Sequence, residues 1–250
     1  MPSLTVVISR HPVPGEGRRL EDAVEAACLA RGADVLLVPH VYYLRPDSLA
    51  VGLLRGVARG RLAVAAWLHP RATRWTLHAL GAADAEAGPL CFDLRDYAAA
   101  ADCAEDILKA APPGTRSAGA RRDLSDPEPE RWYPVLDYSR CVSCGQCMDF
   151  CLFGTYTREA DRVVASSPDN CKPGCPACAR VCPVGAIMFP HYADDPAIAG
   201  ALPDEGPAAG AGDASHGGRS DRAAAADART AAADRGDLED LMRALDEFDD

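Results

Sequence analysis

Lysine is almost missing from this 250-residue sequence: Lys109 and Lys172 stand alone among 26 basic residues, and the rest are arginine. Aromatic residues are also scarce, at 6%. No basic field exists either. Residues 1–193 are nearly neutral, with 22 acids and 21 bases, while residues 194–250 hold 15 acids and 5 bases. Neither part offers the positive potential that phosphates require, which excludes a nucleic-acid binder and a polybasic membrane surface. The longest unbroken apolar run, Leu62–Leu68, falls far short of the roughly 20 residues that span a bilayer. No membrane insertion is expected. Met1-Pro2-Ser3-Leu4 lacks the basic stretch and apolar core of an export signal, so the expected compartment is the cytoplasm. Phosphate-binding loops of the Gly-x-Gly-x-x-Gly or Walker type are absent, and Pro14-Gly15-Glu16-Gly17 is too short a signal for nucleotide binding.

Cysteine, by contrast, is abundant at 11 residues. In a reducing cytoplasm that number argues for metal or catalytic chemistry rather than disulfides. The cysteines also fall mostly in one region, which divides the chain. Residues 1–111 alternate apolar runs (Leu4–Ser9, Ala33–Pro39, Leu62–Leu68 and a weaker Leu90–Phe92) with helical patterns over Arg18–Ala30, Pro46 or Asp47 to Arg59, Thr73–Leu80 and Tyr97–Ala111. Strand runs without polar alternation, separated by helices, predict an α/β domain: a small parallel sheet with helices on both faces. Residues 112–134 read as a polar linker rich in proline, glycine and charge. Residues 135–192 are the cysteine-rich domain, too small to fold well without a staple. Residues 193–236 read as a disordered linker of alanine, glycine, aspartate and arginine. Within 237–250, Leu238, Leu241, Met242, Leu245 and Phe248 fall on one helical face among acids. A short acidic amphipathic helix of this kind is expected to fold against an apolar, basic-rimmed partner. The alternative is an acidic solubilising tail.

Eight cysteines form two runs, Cys141-x2-Cys144-x2-Cys147-x3-Cys151 and Cys171-x3-Cys175-x2-Cys178-x3-Cys182-Pro183. Three thiolates two residues apart on a tight loop can grip three irons of a cubane, and a fourth, three residues on, can reach a different cubane. The pattern, with Cys-Pro-Val-Gly-Ala-Ile at 182–187, resembles the bacterial two-cluster ferredoxins, over about a quarter of the chain. That resemblance implies a small α+β domain and two 4Fe–4S clusters with exchanged fourth ligands. Cys141, Cys144, Cys147 and Cys182 would hold one, and Cys171, Cys175, Cys178 and Cys151 the other. Two positions depart from the family pattern: Lys172-Pro173-Gly174 adds one residue between Cys171 and Cys175, and Leu152 stands where a proline often follows the fourth cysteine. Structural zinc is the alternative, although four-cysteine zinc sites use two pairs per ion. All eight positions are cysteine, so no iron is left open to substrate, which favours a one-electron carrier serving a redox partner protein.

Three histidines stand out in the first domain. His11, His40 and His69 each lie at or just past the carboxyl end of an expected strand, the edge where α/β proteins bind ligands. With Arg71 and Arg74 behind His69, they could bind a metal, an anion or a carboxylate-rich molecule, in an arrangement similar to that of the class II tetrapyrrole chelatases. The plainer alternative is loop histidines satisfied by backbone carbonyls. Two further functions thus stand beside the electron carrier: a redox or metal- and tetrapyrrole-handling enzyme fed by the clusters, and a scaffold subunit of a larger oxidoreductase. Cys28 and Cys103 read as small buried hydrophobes on helices, and Cys91 lies in the weak fourth strand.

Overall fold

The three strongest apolar runs are strands β1 (Thr5–Ser9), β2 (Asp34–Val38) and β3 (Leu62–Ala66), each buried along nearly its whole length. This architecture comes from a computed structural model, which describes residues 3–202 apart from 86–87 and 113–117. With β4 (Leu90–Asp93) and β5 (Arg121–Asp123), they form a five-stranded sheet in the order β4-β3-β1-β2-β5. Every pair is parallel. Parallel neighbours need crossover connections. These contain α1 (Arg18–Ala30), α2 (Leu49–Leu54), α3 (Pro70–Ala79) and α4 (Ala100–Ala110).

Successive strand side chains point to opposite faces, and both faces are covered. Val6, Ile8, Val35 and Leu37 pack with Val24 and Cys28 of α1 and Cys103 and Ile107 of α4. On the other face, Val7, Leu36, Val38 and Val64 pack with Val51 and Leu54 of α2 and Ala72, Trp75 and Leu77 of α3. The chain enters α1 through Gly17 at φ 66°, and the Trp67 ring lies where a Cβ would stand. Only glycine serves there. Three helices differ in extent from the sequence expectation, α4 by starting at Ala100 rather than Tyr97, because Leu94–Asp96 form a separate turn that leaves Tyr97 extended. Helix α3 starts three residues earlier, since Pro70 occupies the first turn, where its missing N–H costs nothing. Helix α2 is shorter, beginning after Ser48, whose hydroxyl accepts from the Val51 N–H, and ending before Gly56.

The second half is built from smaller pieces. Strands β6 (Val135–Leu136) and β9 (Ile187–Met188) pair antiparallel, and β7 (Thr157–Glu159) and β8 (Arg162–Val164) form a hairpin. Three short helices complete it: α5 (Gln146–Phe150), α6 (Ala177–Val181) and α7 (Pro196–Ala199). Leu136, Tyr156, Val163, Ile187 and Phe189 make its core together with Cys147 and Cys178.

The segment expected to be a linker does more than connect. Its residues 121–123 supply edge strand β5, and Arg131 and Tyr133 are buried. Tyr133, Val135 and Met188 share the hydrophobic cluster over α2 and α3. Arg131 donates to Leu44 O on one side and to Asp169 at 2.8 Å on the other. Arg71 of α3 reaches Asp137 Oδ2 at 2.6 Å and Gly185 O at 2.7 Å, with both side chains buried. The cysteine-rich part is therefore packed on the sheet domain rather than hung from it. Among the described residues no helix is long and apolar enough to cross a membrane. The amphipathic pattern at 237–250, and most of the spacer before it, lie outside the described residues.

Candidate metal centre

Both cysteine runs fold the same way. In each, the third cysteine sits on a one-turn helix, Cys147 on α5 and Cys178 on α6, and the fourth ends that helix. Cys151 (φ −79°, ψ 112°) and Cys182 (φ −72°, ψ 113°) share one extended backbone conformation. Gly154 and Gly185 then turn the chain with φ of 64° and 56°. Since α5 packs against α6, each fourth cysteine is carried to the opposite run.

The eight thiols consequently line two cavities in two sets of four. Cys141, Cys144, Cys147 and Cys182 border one, walled by Leu136, Val163, Ala186 and Ile187. Cys151, Cys171, Cys175 and Cys178 border the other, walled by Phe150, Leu152, Phe153 and Ala177. Lys172-Pro173-Gly174 bends outward as a turn closed by the Cys175 N–H on Lys172 O at 3.1 Å, and open space surrounds Gly174. The inserted residue leaves Cys171 on the cavity wall. Leu152, in place of proline, is 92% exposed at the rim.

Burial raises several of these thiols, as an apolar wall must. Cys147 is pushed up to about 11 by burial and then by Cys178, Cys141 and Cys182. Cys171 is pushed up to about 12 by burial and then by Cys178, Cys175 and Cys151. Cys178 rises to about 11 through burial, against a hydrogen bond from Tyr156. Cys151 departs from the trend. Burial opposes its ionisation, but hydrogen bonds from Thr155 and from the backbone of Phe153 and Gly154 hold it below the ordinary thiol value. Bound metal would overcome these penalties, because a coordinating thiol loses its proton outright. The donor set fits an iron–sulfur cluster: soft thiolates in fours, apolar walls, and N–H groups such as Ala186 N, 3.3 Å from Cys182 Sγ.

The three strand-end histidines are where the sequence put them, and His11 and His40, though not His69, line one cavity. His40, 3% exposed, faces His191 with 3.3 Å between their Nε2 atoms, and Tyr43 OH meets His191 Nδ1 at 3.1 Å. His11 stacks edge-on against Trp67 and accepts the Val13 N–H. His69 lies 3.8 Å from Asp93 instead. Arg71, expected near a ligand, is committed to Asp137 and Gly185. Burial, then the proximity of His191 and His11, holds His40 well below the ordinary imidazole value, and burial with His11 brings His191 down to about 4. Among the described residues no three His, Cys, Asp or Glu side chains converge closely enough to share one metal ion. Sequence reasoning passed over His191, Thr155 and Tyr156. Only the last two had a signal, in the internal similarity of residues 151–156 to 182–187.

No family model matches the chain. A stretch of it is 41% identical over 71 residues to an uncharacterised ferredoxin of Methanocaldococcus jannaschii, covering 28% of this chain and 44% of that protein. A second ferredoxin of the same organism is 39% identical over 55 residues, 21% of this chain and 87% of that protein. The pyruvate synthase subunit PorD of Methanothermobacter marburgensis is 41% identical over 56 residues, 22% of this chain and 63% of that subunit. The chain thus spans less than half of the first relative and less than two thirds of PorD. None of these three is a tetrapyrrole chelatase. The second ferredoxin, however, is matched over most of its length, and through that stretch this chain belongs to the ferredoxin family.

Proposed function

We propose that this protein is an electron carrier with two 4Fe–4S clusters, one held by Cys141, Cys144, Cys147 and Cys182 and the other by Cys171, Cys175, Cys178 and Cys151. The observation that carries this reading is the division of eight thiols between two apolar cavities, each drawing its fourth thiol from the opposite run. Four-cysteine zinc sites use two cysteine pairs per ion, whereas each cavity here draws three thiols from one run and one from the other. Each cluster supplies storage for one electron. The protein's own residues exclude water with Phe153, Ile187 and Val163, and direct N–H groups at sulfur. The similarity to PorD favours a partner of the pyruvate synthase kind, with the α/β domain docking the carrier into a larger oxidoreductase.

Crossed ligation is tested by removing one fourth cysteine at a time from the full chain, reconstituted without oxygen. Cys182→Ala is expected to abolish the cluster of the Cys141 run, and Cys151→Ala that of the Cys171 run, as read by electron paramagnetic resonance of the surviving cluster. If each variant loses its own run's cluster instead, the exchange is contradicted.

A further inference from the structure

Each fourth cysteine opens a six-residue stretch, Cys151-Leu-Phe-Gly-Thr-Tyr156 and Cys182-Pro-Val-Gly-Ala-Ile187. The matched backbone angles at both cysteines and both glycines make these stretches structural equivalents. Thr155 therefore corresponds to Ala186, and Tyr156 to Ile187. The first pair carries hydroxyls and the second carries none. Both hydroxyls reach sulfur in the same cavity: Tyr156 OH donates to Cys178 Sγ at 3.0 Å, and Thr155 Oγ1 is hydrogen-bonded to Cys151 Sγ at 3.4 Å. Tyr156, Cys178 and Thr155 are all buried, at 6%, 7% and 1% exposure, so water does not compete for these bonds. Among the described residues, no side-chain hydroxyl bonds to a sulfur of Cys141, Cys144, Cys147 or Cys182.

Resting on the two-cluster reading above, we propose that Thr155 and Tyr156 are positioning residues that make the two redox sites unequal, so that a single electron settles at the Cys151–Cys178 cavity. Reduction adds one negative charge to a cluster without a proton, and a hydrogen bond to a ligand sulfur stabilises the more negative state. Two side-chain hydroxyl bonds at one cavity, against none among the described residues at the other, where the Ala186 N–H on Cys182 Sγ is a backbone bond, raise the potential of the first. That cavity is also rimmed by the exposed Phe150 and Leu152.

The test is a potentiometric titration of the full chain after anaerobic reconstitution, followed by electron paramagnetic resonance, with iron and sulfide counted first. Wild type is expected to show two separated potentials. Tyr156→Phe is expected to lower only the higher one, changing the partition of the first electron between the clusters about tenfold, equivalent to about 59 mV. Thr155→Val, which keeps the side-chain shape, is expected to move the same potential in the same direction, and it carries the test if Tyr156→Phe fails to hold its cluster. Unchanged potentials, or a shift in the lower one, in a chain with full iron content would overturn this inference alone. Wild type without iron–sulfur clusters would overturn the two-cluster reading and this inference with it.

Discussion

His191 shows how much one side chain can report. It links the cysteine-rich part to His40 and Tyr43 of the sheet domain, and its imidazole is held at about 4 against about 6.5 in an unfolded chain. A base whose folded value is depressed binds more protons when unfolded, so stability falls as pH drops through 6.5 and levels off below 4. By pH 5 the loss from this residue is on the order of 2 kcal/mol. Denaturant melts at pH 7.5 and 5 are expected to show that loss in wild type and a shallower one in His191→Gln. Equal losses in both would contradict the assignment. Among the described residues the groups facing His191 are His40, His11, Tyr42 and Tyr43, none of them a carboxylate that would reverse the sign. His191 was not legible in the sequence, because a histidine becomes informative only through the contact that folding gives it.

Elements differ in how plainly their sequence announces them. Strands β1, β2 and β3 could be read directly, because a strand buried on both faces needs an uninterrupted apolar run. Strand β5 could not. Its three residues, Arg121, Arg122 and Asp123, are all exposed and polar, and it exists through backbone pairing with β2 and the ion pair of Arg121 with Glu25 of α1. The two cysteine helices were legible only as spacing, since one turn has no hydrophobic period of its own. Helix α3 carries a buried ion pair of large energetic consequence. Arg71 and Asp137 are a buried pair, and removing one partner strands the other charge at a cost of about 3–5 kcal/mol. Asp137 also accepts from Ser139 and, through its carbonyl, from the Cys141 N–H, so Arg71 braces the loop of the first cysteine run. Arg71→Ala is expected to lower the unfolding free energy by that amount and to release iron from the Cys141 cavity before the Cys151 cavity. Simultaneous release from both would remove the local role from Arg71.

At the scale of the whole molecule, the cysteine-rich part and the α/β domain share a core through Tyr133, Val135 and Met188. Ligand chemistry and sheet packing are therefore coupled. A small metal-stapled region draws much of its folding energy from its metal. Chelation of the reconstituted chain is expected to expose the amides of α5 and α6 to hydrogen exchange first and those of α3 next, while β1 and β3 stay protected. Protection of α3 identical to that of β1 would mean that the shared core transmits nothing. The central claim is the two-cluster assignment itself, and the direct measurement is metal and sulfide content per chain after anaerobic reconstitution. About eight irons and eight acid-labile sulfides are expected, with broad visible absorbance bleached by reduction. Two zinc ions per chain, with no sulfide and no visible absorbance, would contradict it.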